Sequence, residues 1–257
     1  MRKVAPTLAI EKLTVTYGGV VAVSEFDLEV PASAIVGLIG PNGAGKTSLI
    51  DAVAGFTACS GNVTLNARSI DGLPPHERSQ AGLVRTFQSV ELFDDLDVRA
   101  NLEVATHRPQ ALAFWRDIVW PGAGARREVV NNALDLLGIE TLADSMPREL
   151  SQGQRQLVGI ARAIATSAKV LLLDEPAAGL DTVESAQLGG RLRGLLESGI
   201  AILLVDHDMG LVLSVCDLVY VINGGRRIAA GAPAAVRADP SVIEAYLGSR
   251  HSQEVPG

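Results

Sequence analysis

The spacing of apolar and polar positions along this chain predicts an α/β fold. Ala34-Ile35-Val36-Gly37-Leu38-Ile39, Val170-Leu171-Leu172-Leu173 and Ala201-Ile202-Leu203-Leu204-Val205 are short unbroken apolar runs, the pattern of strands buried on both faces. Leu8–Ile10, Leu13–Tyr17, Val20–Val23 and Phe26–Val30 are instead broken by polar residues and turn at Gly18-Gly19, which predicts an antiparallel layer. Gly61–Asn66 adds a turn and an alternating strand, and Leu83–Gln88 reads as a strand with a polar end. Helices are expected over Leu49–Ala54, closed by Gly55, over His76–Ala81, over Val98–Thr106 behind the N-cap Asp97, and over Arg126–Leu137 before Gly138. The pattern loosens between Pro109 and Gly124, where Phe114, Trp115 and Trp120 read as a local core rather than a partner-facing cluster.

Composition narrows the class. The 257 residues, 47% of them apolar, suffice for a folded domain with a substantial core. Lys and Arg total 22 against 29 Asp and Glu, a formal charge of −7, which argues against a sequence-independent nucleic-acid binder. Ile200–Val205 is stopped by Asp206-His207-Asp208, far short of the ~20 residues of a spanning helix. Met1-Arg2-Lys3 is followed by no apolar region of the kind a signal peptide needs. A membrane partner is therefore expected on another chain or on a segment outside the given residues. Cys59 and Cys216 have apolar flanks and no ligand spacing, so both are expected to be buried thiols in a reducing compartment.

The first chemical signal is Gly40-Pro41-Asn42-Gly43-Ala44-Gly45-Lys46-Thr47-Ser48, which fits G-x-x-x-x-G-K-[ST] between a strand and a helix. Glycines let backbone N–H groups surround phosphate oxygens, and the helix N-terminus adds partial positive charge. Lys46 suits the β- and γ-phosphates and the Thr47 hydroxyl suits Mg²⁺. A nucleoside triphosphate is the implied ligand.

Further candidates follow along the chain. Tyr17 offers a ring for stacking on a base, against a plain strand aromatic. Gln88 is by itself a loop amide. Ser151-Gln152-Gly153-Gln154 fits a capping box, a well-made helix start that also exposes N–H groups to a phosphate. Asp174-Glu175 closes an apolar strand at the end where α/β sheets place ligands. Asp174 is thus placed for Mg²⁺ and Glu175 for activating a water.

Taken in order, these stretches resemble the ATP-binding cassette (ABC) ATPases over essentially the whole chain. Tyr17 resembles the adenine-stacking A-loop, Gly40–Thr47 the Walker A loop and Gln88 the Q-loop. Leu150–Gln154 resembles the family signature, Val170–Asp174 the Walker B strand and Glu175 the catalytic acid. Ala178–Asp181 resembles the D-loop and His207 the switch histidine. The signature departs at Gln152, where the family usually has glycine; Gly153 and the capping pair are kept. Arg85-Thr86-Phe87-Gln88, Leu92-Phe93, His207-Asp208-Met209 and Val242–Gly248 are similar to ATPase subunits of branched-chain amino acid importers, as is a long helical insertion from about Thr106 to Gly138.

The resemblance implies one α/β domain over 1–257: a P-loop NTPase core with an antiparallel β subdomain, a helical signature subdomain at roughly 89–167 and a C-terminal strand–helix tail at roughly 218–248. It implies ATP and Mg²⁺ as cofactors, with Thr47, Gln88 and Asp174 around the metal and Glu175, His207 and Gln88 acting in hydrolysis. Ser151, Gly153 and Gln154 would cap the γ-phosphate of a second ATPase subunit, and Asp181 would link the two sites. The implied partners are that subunit, a transmembrane permease and a solute-binding protein, at the cytoplasmic face of the membrane. Branched-chain amino acids or related polar solutes are the implied cargo. A lipopolysaccharide-type exporter, a soluble repair or translation ATPase and a cassette from a permease fusion are the alternatives. Repair ATPases carry long coiled coils and translation factors usually two cassettes, whereas this chain has no sustained heptads and each motif once.

Overall fold

The computed structural model describes residues 5–86, 91–106 and 123–251. Strands β1 (Leu8–Tyr17) and β2 (Val20–Val30) pair across Gly18-Gly19. With β4 (Ser60–Leu65) and β5 (Arg68–Ser69) they make a four-stranded antiparallel sheet, ordered β2-β1-β4-β5. The polar interruptions that divide this region in the sequence do not end the strands. Lys12 and Glu25 take left-handed backbone angles (φ 49° and 46°) where the register shifts, and Asp27 Oδ1 and Thr14 Oγ1 accept their N–H groups at 2.8 and 3.0 Å. The polar residues therefore mark bulges within two continuous strands.

A six-stranded sheet forms the second layer. It comprises β3 (Ile35–Ile39), β6 (Leu83–Arg85), β7 (Val170–Asp174), β8 (Ala201–Val205), β9 (Leu218–Asn223) and β10 (Arg226–Gly231), ordered β10-β9-β3-β8-β7-β6. Every pair is parallel except β9 with β10. All residues of β3, β7 and β8 are buried, because both faces are covered. Ile35, Ile39, Leu171 and Leu204 join the core on the helical side, while Val36, Leu38, Leu172 and Leu203 join the core against the antiparallel sheet.

Helix α1 (Lys46–Ala54) lies between the two sheets, burying Leu49, Ile50 and Val53. It closes at Gly55 (φ 86°), and the guanidinium of Arg78, from α2 (Pro75–Ala81), donates to the Ala52 and Val53 carbonyls at 3.1 and 2.7 Å. A buried cation at the carbonyl end suits the helix dipole. The opposite layer contains α3 (Val98–Ala105), α4 (Ala123–Leu137), α5 (Gln152–Ala165) and α6 (Thr182–Leu195), followed by α7 (Met209–Val215), α8 (Pro233–Ala238) and α9 (Pro240–His251). Asp97 caps α3 by accepting the Ala100 N–H at 2.7 Å. Gly138 (φ 60°) ends α4, and Arg191 of α6 donates to the Leu137 and Gly138 carbonyls, clamping the helical layer to the core.

The β6 strand is Leu83–Arg85, with the Thr86 N–H still reaching Leu172 O at 3.0 Å, and the Phe87-Gln88 end of the expected strand lies outside the described residues. A further expectation changes. Cys216 is buried, but Cys59 is exposed, because its stretch lies outside both cores, beside an equally exposed Phe56. Phe114, Trp115 and Trp120 lie outside the described residues, as does most of the expected insertion. Among the described residues no helix is long and apolar enough to cross a membrane.

Candidate functional site

Register decides what meets at the carboxyl edge of the large sheet. Leu38 pairs with Val205 on one side of β8 and Asp174 pairs with Val205 on the other. The residues that follow, Gly40, Asp174-Glu175 and Asp206-His207, therefore emerge side by side where open α/β sheets bind ligands.

The loop from Gly40 to Ser48 leaves β3 and enters α1. A Cβ on Gly40 would sit 2.1 Å from the Ile222 carbonyl oxygen, so only glycine fits there. Gly45 combines φ 108° with a position where a Cβ would lie 2.5 Å from Ala22 O. The Ala44 N–H bonds to Pro41 O at 3.2 Å and the Ala44 carbonyl accepts from Gly225 N at 2.9 Å, tying the loop to the β9–β10 turn. Gly45 is the N-cap of α1, with no capping side chain and no acid in the first turn. The first N–H groups and the dipole are thus open to an anion. Lys46 is buried, its Nζ donating to Gly40 O at 2.7 Å and Pro41 O at 3.0 Å. Burial pulls its pKa below the ordinary lysine value, while Glu175 and Asp174 push it back. Asn42, Gly43 and Thr47 are exposed on this loop, and Ser48 is half-buried.

The acids form the opposite wall. Burial raises the Asp174 carboxyl, and the hydrogen bond and charge of Arg85 counter it. Arg85 Nη2 reaches Asp174 Oδ2 at 2.9 Å, and its Nη1 bonds Asp51 of α1. Glu175 adopts φ 49°, a left-handed angle rare for such a side chain, and its N–H donates to Val205 O at 2.7 Å. His207 Nδ1 lies 3.7 Å from Glu175 Oε2 and 3.7 Å from Asp206 Oδ1. Those distances permit ion pairing but exceed a hydrogen bond.

Thr47 and Asp174 supply a hydroxyl and a carboxylate, hard oxygen donors that fit Mg²⁺. No cluster of three or more His, Cys, Asp or Glu suited to a metal occurs among the described residues. The donor set therefore suits a cation that completes its shell with phosphate oxygens and water. Gln88 lies outside the described residues.

The remaining sequence candidates are spread more widely. Tyr17 is exposed at the end of β1, its hydroxyl 3.4 Å from Thr57 Oγ1 just beyond α1. Ser151 and Gln154 form the expected capping box: Ser151 Oγ accepts from Gln154 N at 3.3 Å and Gln154 Oε1 accepts from Ser151 N at 2.8 Å. The Gln152 substitution thus leaves the start of α5 regular. Ser151, Gly153 and Gln154 line a cleft of about 250 Å³ with Leu180, Glu184 and Arg191, and its walls include no residue of the phosphate loop. Asp181 caps α6, accepting from Val183 N and Glu184 N at 2.8 Å each.

Two grooves lie away from the phosphate loop. One of about 680 Å³, with a mainly apolar lining, runs between the end of β6 and the helical layer, past Arg85, Leu92, Phe93 and Arg162. Asn101, fully buried, shapes its rim by accepting from Phe93 N and donating to the Phe93, Leu96 and Asp97 carbonyls. The other, about 720 Å³, lies beside Lys12, Asp27 and Arg227. It is larger but holds none of the chemistry above.

Sequence reasoning assigned no role to Arg85, Asp51 or Asp206. For Arg85 and Asp206 the available signal was a charged residue at the end of an apolar strand or directly after it, as in Leu83-Val84-Arg85 and Leu204-Val205-Asp206. Such a charge has to find a partner.

Comparison with known proteins agrees with this geometry. A family model described as ABC transporter matches residues 23–178, and one described as Branched-chain amino acid ATP-binding cassette transporter matches residues 226–252. The High-affinity branched-chain amino acid transport ATP-binding protein LivG of Salmonella typhimurium is 38% identical over 250 residues, covering 95% of this chain and 98% of that protein. The Lipopolysaccharide export system ATP-binding protein LptB of Escherichia coli is 36% identical over 243 residues, covering 94% and 97%. A crystal structure of an ATP-binding cassette of an ABC transporter in its ADP conformation superposes with a TM-score of 0.83 at 30% identity, covering 95% of this chain and all of that one.

Proposed function

Since the chain belongs to the ABC transporter family and is an ATP-hydrolysing subunit of that type, we propose that it works as half of a head-to-tail dimer driving a separate permease. The observation that carries this reading is the alignment of the Gly40–Ser48 loop, the Asp174-Glu175 pair and His207 at one sheet edge.

On this reading Tyr17 stacks on adenine, and the loop N–H groups and Lys46 hold the phosphates. Mg²⁺ bound by Thr47, Asp174 and Gln88 would neutralise charge on the β- and γ-phosphates. Glu175 accepts the proton of the attacking water, and its unusual backbone angle turns it out of the strand it ends. His207, beside that carboxylate, orients the water and contacts the γ-phosphate. The open start of α5, with Ser151, Gly153 and Gln154, caps the γ-phosphate of the facing subunit. That role is supported by the absence of phosphate-loop residues from the cleft these residues line. Asp181, at the start of α6, links the two sites.

The groove beside Phe93 and Arg162 suits a cytoplasmic helix of the permease, since it is apolar and adjoins the segment leading to Gln88. The subunit then acts at the cytoplasmic face of the membrane, with a solute-binding protein delivering cargo. Branched-chain amino acids or related polar solutes are the cargo we favour. The match over residues 226–252 supports this over export of a lipopolysaccharide, the competing reading raised by the 36% relative.

The decisive variant is Glu175→Gln. It should form an ATP-dependent dimer with almost no turnover, and full ATPase activity would remove Glu175 from its role. Stimulation of a reconstituted complex by leucine, isoleucine or valine with the binding protein would establish the cargo. Stimulation by lipopolysaccharide alone would reverse it.

A further inference from the structure

Resting on the reading just given for Glu175 and His207, we propose that Asp206 is a positioning residue for hydrolysis, joining the turn that carries the base to the turn that carries the switch histidine. Asp206 is fully buried. Its Oδ2 accepts the N–H of Ala177, two residues beyond Glu175, at 3.2 Å. Its Oδ1 accepts the N–H of Asp208, the residue after His207, at 2.9 Å. One carboxylate thus joins the turn after Glu175 to the segment after His207, which no strand pairing links directly.

The placement has consequences at the reacting edge. Glu175 sits at φ 49°, an angle that persists only where the surroundings impose it. The Ala177 bond and the Glu175 N–H to Val205 O bond impose it from two directions. The same Oδ1 lies 3.7 Å from His207 Nδ1, as far as that nitrogen is from Glu175 Oε2. The network continues through Asp208, whose Oδ2 accepts the Ser185 hydroxyl of α6 at 3.2 Å. The helix capped by Asp181 is thereby tied to the switch loop.

A carboxylate is costly to bury, and an apolar residue would fill the same space without that cost. What the carboxylate adds is two acceptors at a fixed separation. Asparagine keeps one acceptor and turns an NH₂ towards a second N–H, so one of the two loops is released.

The test uses the full-length chain. Asp206→Asn should lower kcat on the order of 10- to 100-fold, the cost of misplacing reacting groups by about an ångström, with ATP KM and ATP affinity changing less than about threefold. Against the residual turnover of His207→Ala, the same substitution should cost clearly less than it does in the wild type, because the part of its effect carried by the histidine is already gone and only the part carried by the Glu175 turn remains. Asp206→Glu keeps both oxygens and should fall between the wild type and Asn. An unchanged kcat, a loss confined to KM, a full additional loss in the His207→Ala background, or a Glu variant no better than Asn would each overturn the proposal. If Glu175→Gln abolishes turnover while Asp206→Asn does not, only this inference fails. If neither lowers turnover, the functional reading itself fails.

Discussion

Arg85 and Asp174 form an ion pair at 2.9 Å between the edge strand β6 and its neighbour β7, both side chains almost wholly shielded. The same guanidinium also bonds Asp51 of α1 and lies 5.8 Å from the centre of the Phe56 ring. One cation thus joins the acid that ends β7, the last turns of the phosphate-loop helix and the end of β6.

Removing that cation leaves two carboxylates facing each other with little solvent. Arg85→Met should therefore destabilise the chain by about 3–5 kcal/mol, the usual cost of breaking a buried pair from one side. Urea denaturation of the nucleotide-free chain measures it. Arg85→Lys should recover only part of the loss, because an ammonium is a point donor and cannot span both acids as the planar fork does.

Gly40→Ala tests the loop. The added methyl meets the Ile222 carbonyl oxygen at 2.1 Å, a backbone atom with no rotamer to move to. The loop has to move off β9, so binding of a fluorescent ATP analogue should be lost while the far-ultraviolet circular dichroism stays that of a folded α/β protein.

Burial places the Asp206 carboxyl above its ordinary 3.8, opposed by the Asp208 and Ala177 N–H groups and by His207. The folded chain then holds that proton more tightly than the unfolded chain. By linkage, the contribution of Asp206 to stability is lost as pH rises through the window above 3.8 and regained on acidification. The stability of Asp206→Asn relative to wild type should be most favourable at neutral pH and should decline as pH falls towards 3.8. Urea midpoints of the two proteins across that range provide the measurement.

The cysteines should separate cleanly. Burial pushes Cys216 up to about 12 and encloses it, while Cys59 is exposed, its thiol raised by partial burial. A thiol reagent at mildly alkaline pH should label one site in the native chain and two after unfolding, read by intact mass.

The sequence by itself determined the features whose causes lie within a few residues. The glycines of the phosphate loop, the capping box at Ser151 and Gln154, the cap at Asp97 and the stop at Gly55 were all legible, because each depends on local backbone angles and neighbouring N–H groups. The fully apolar β3, β7 and β8 were legible as strands for a similar reason, since burial on both faces leaves no polar position to misread. Tertiary structure alone decided which strand ends meet. Asp174 comes beside Val205, and so Glu175 beside His207, only through the pairing of β7 with β8. Arg85 finds Asp51 and Asp174 across 34 and 89 residues of chain, a separation at which local pattern carries no information. The continuity of β1 and β2 through Lys12 and Glu25, and the exposure of Cys59, were likewise settled by what packs against them. Parallel pairing is non-local, and a single carboxylate or guanidinium placed at its edge acquires a role only from the strand that arrives beside it.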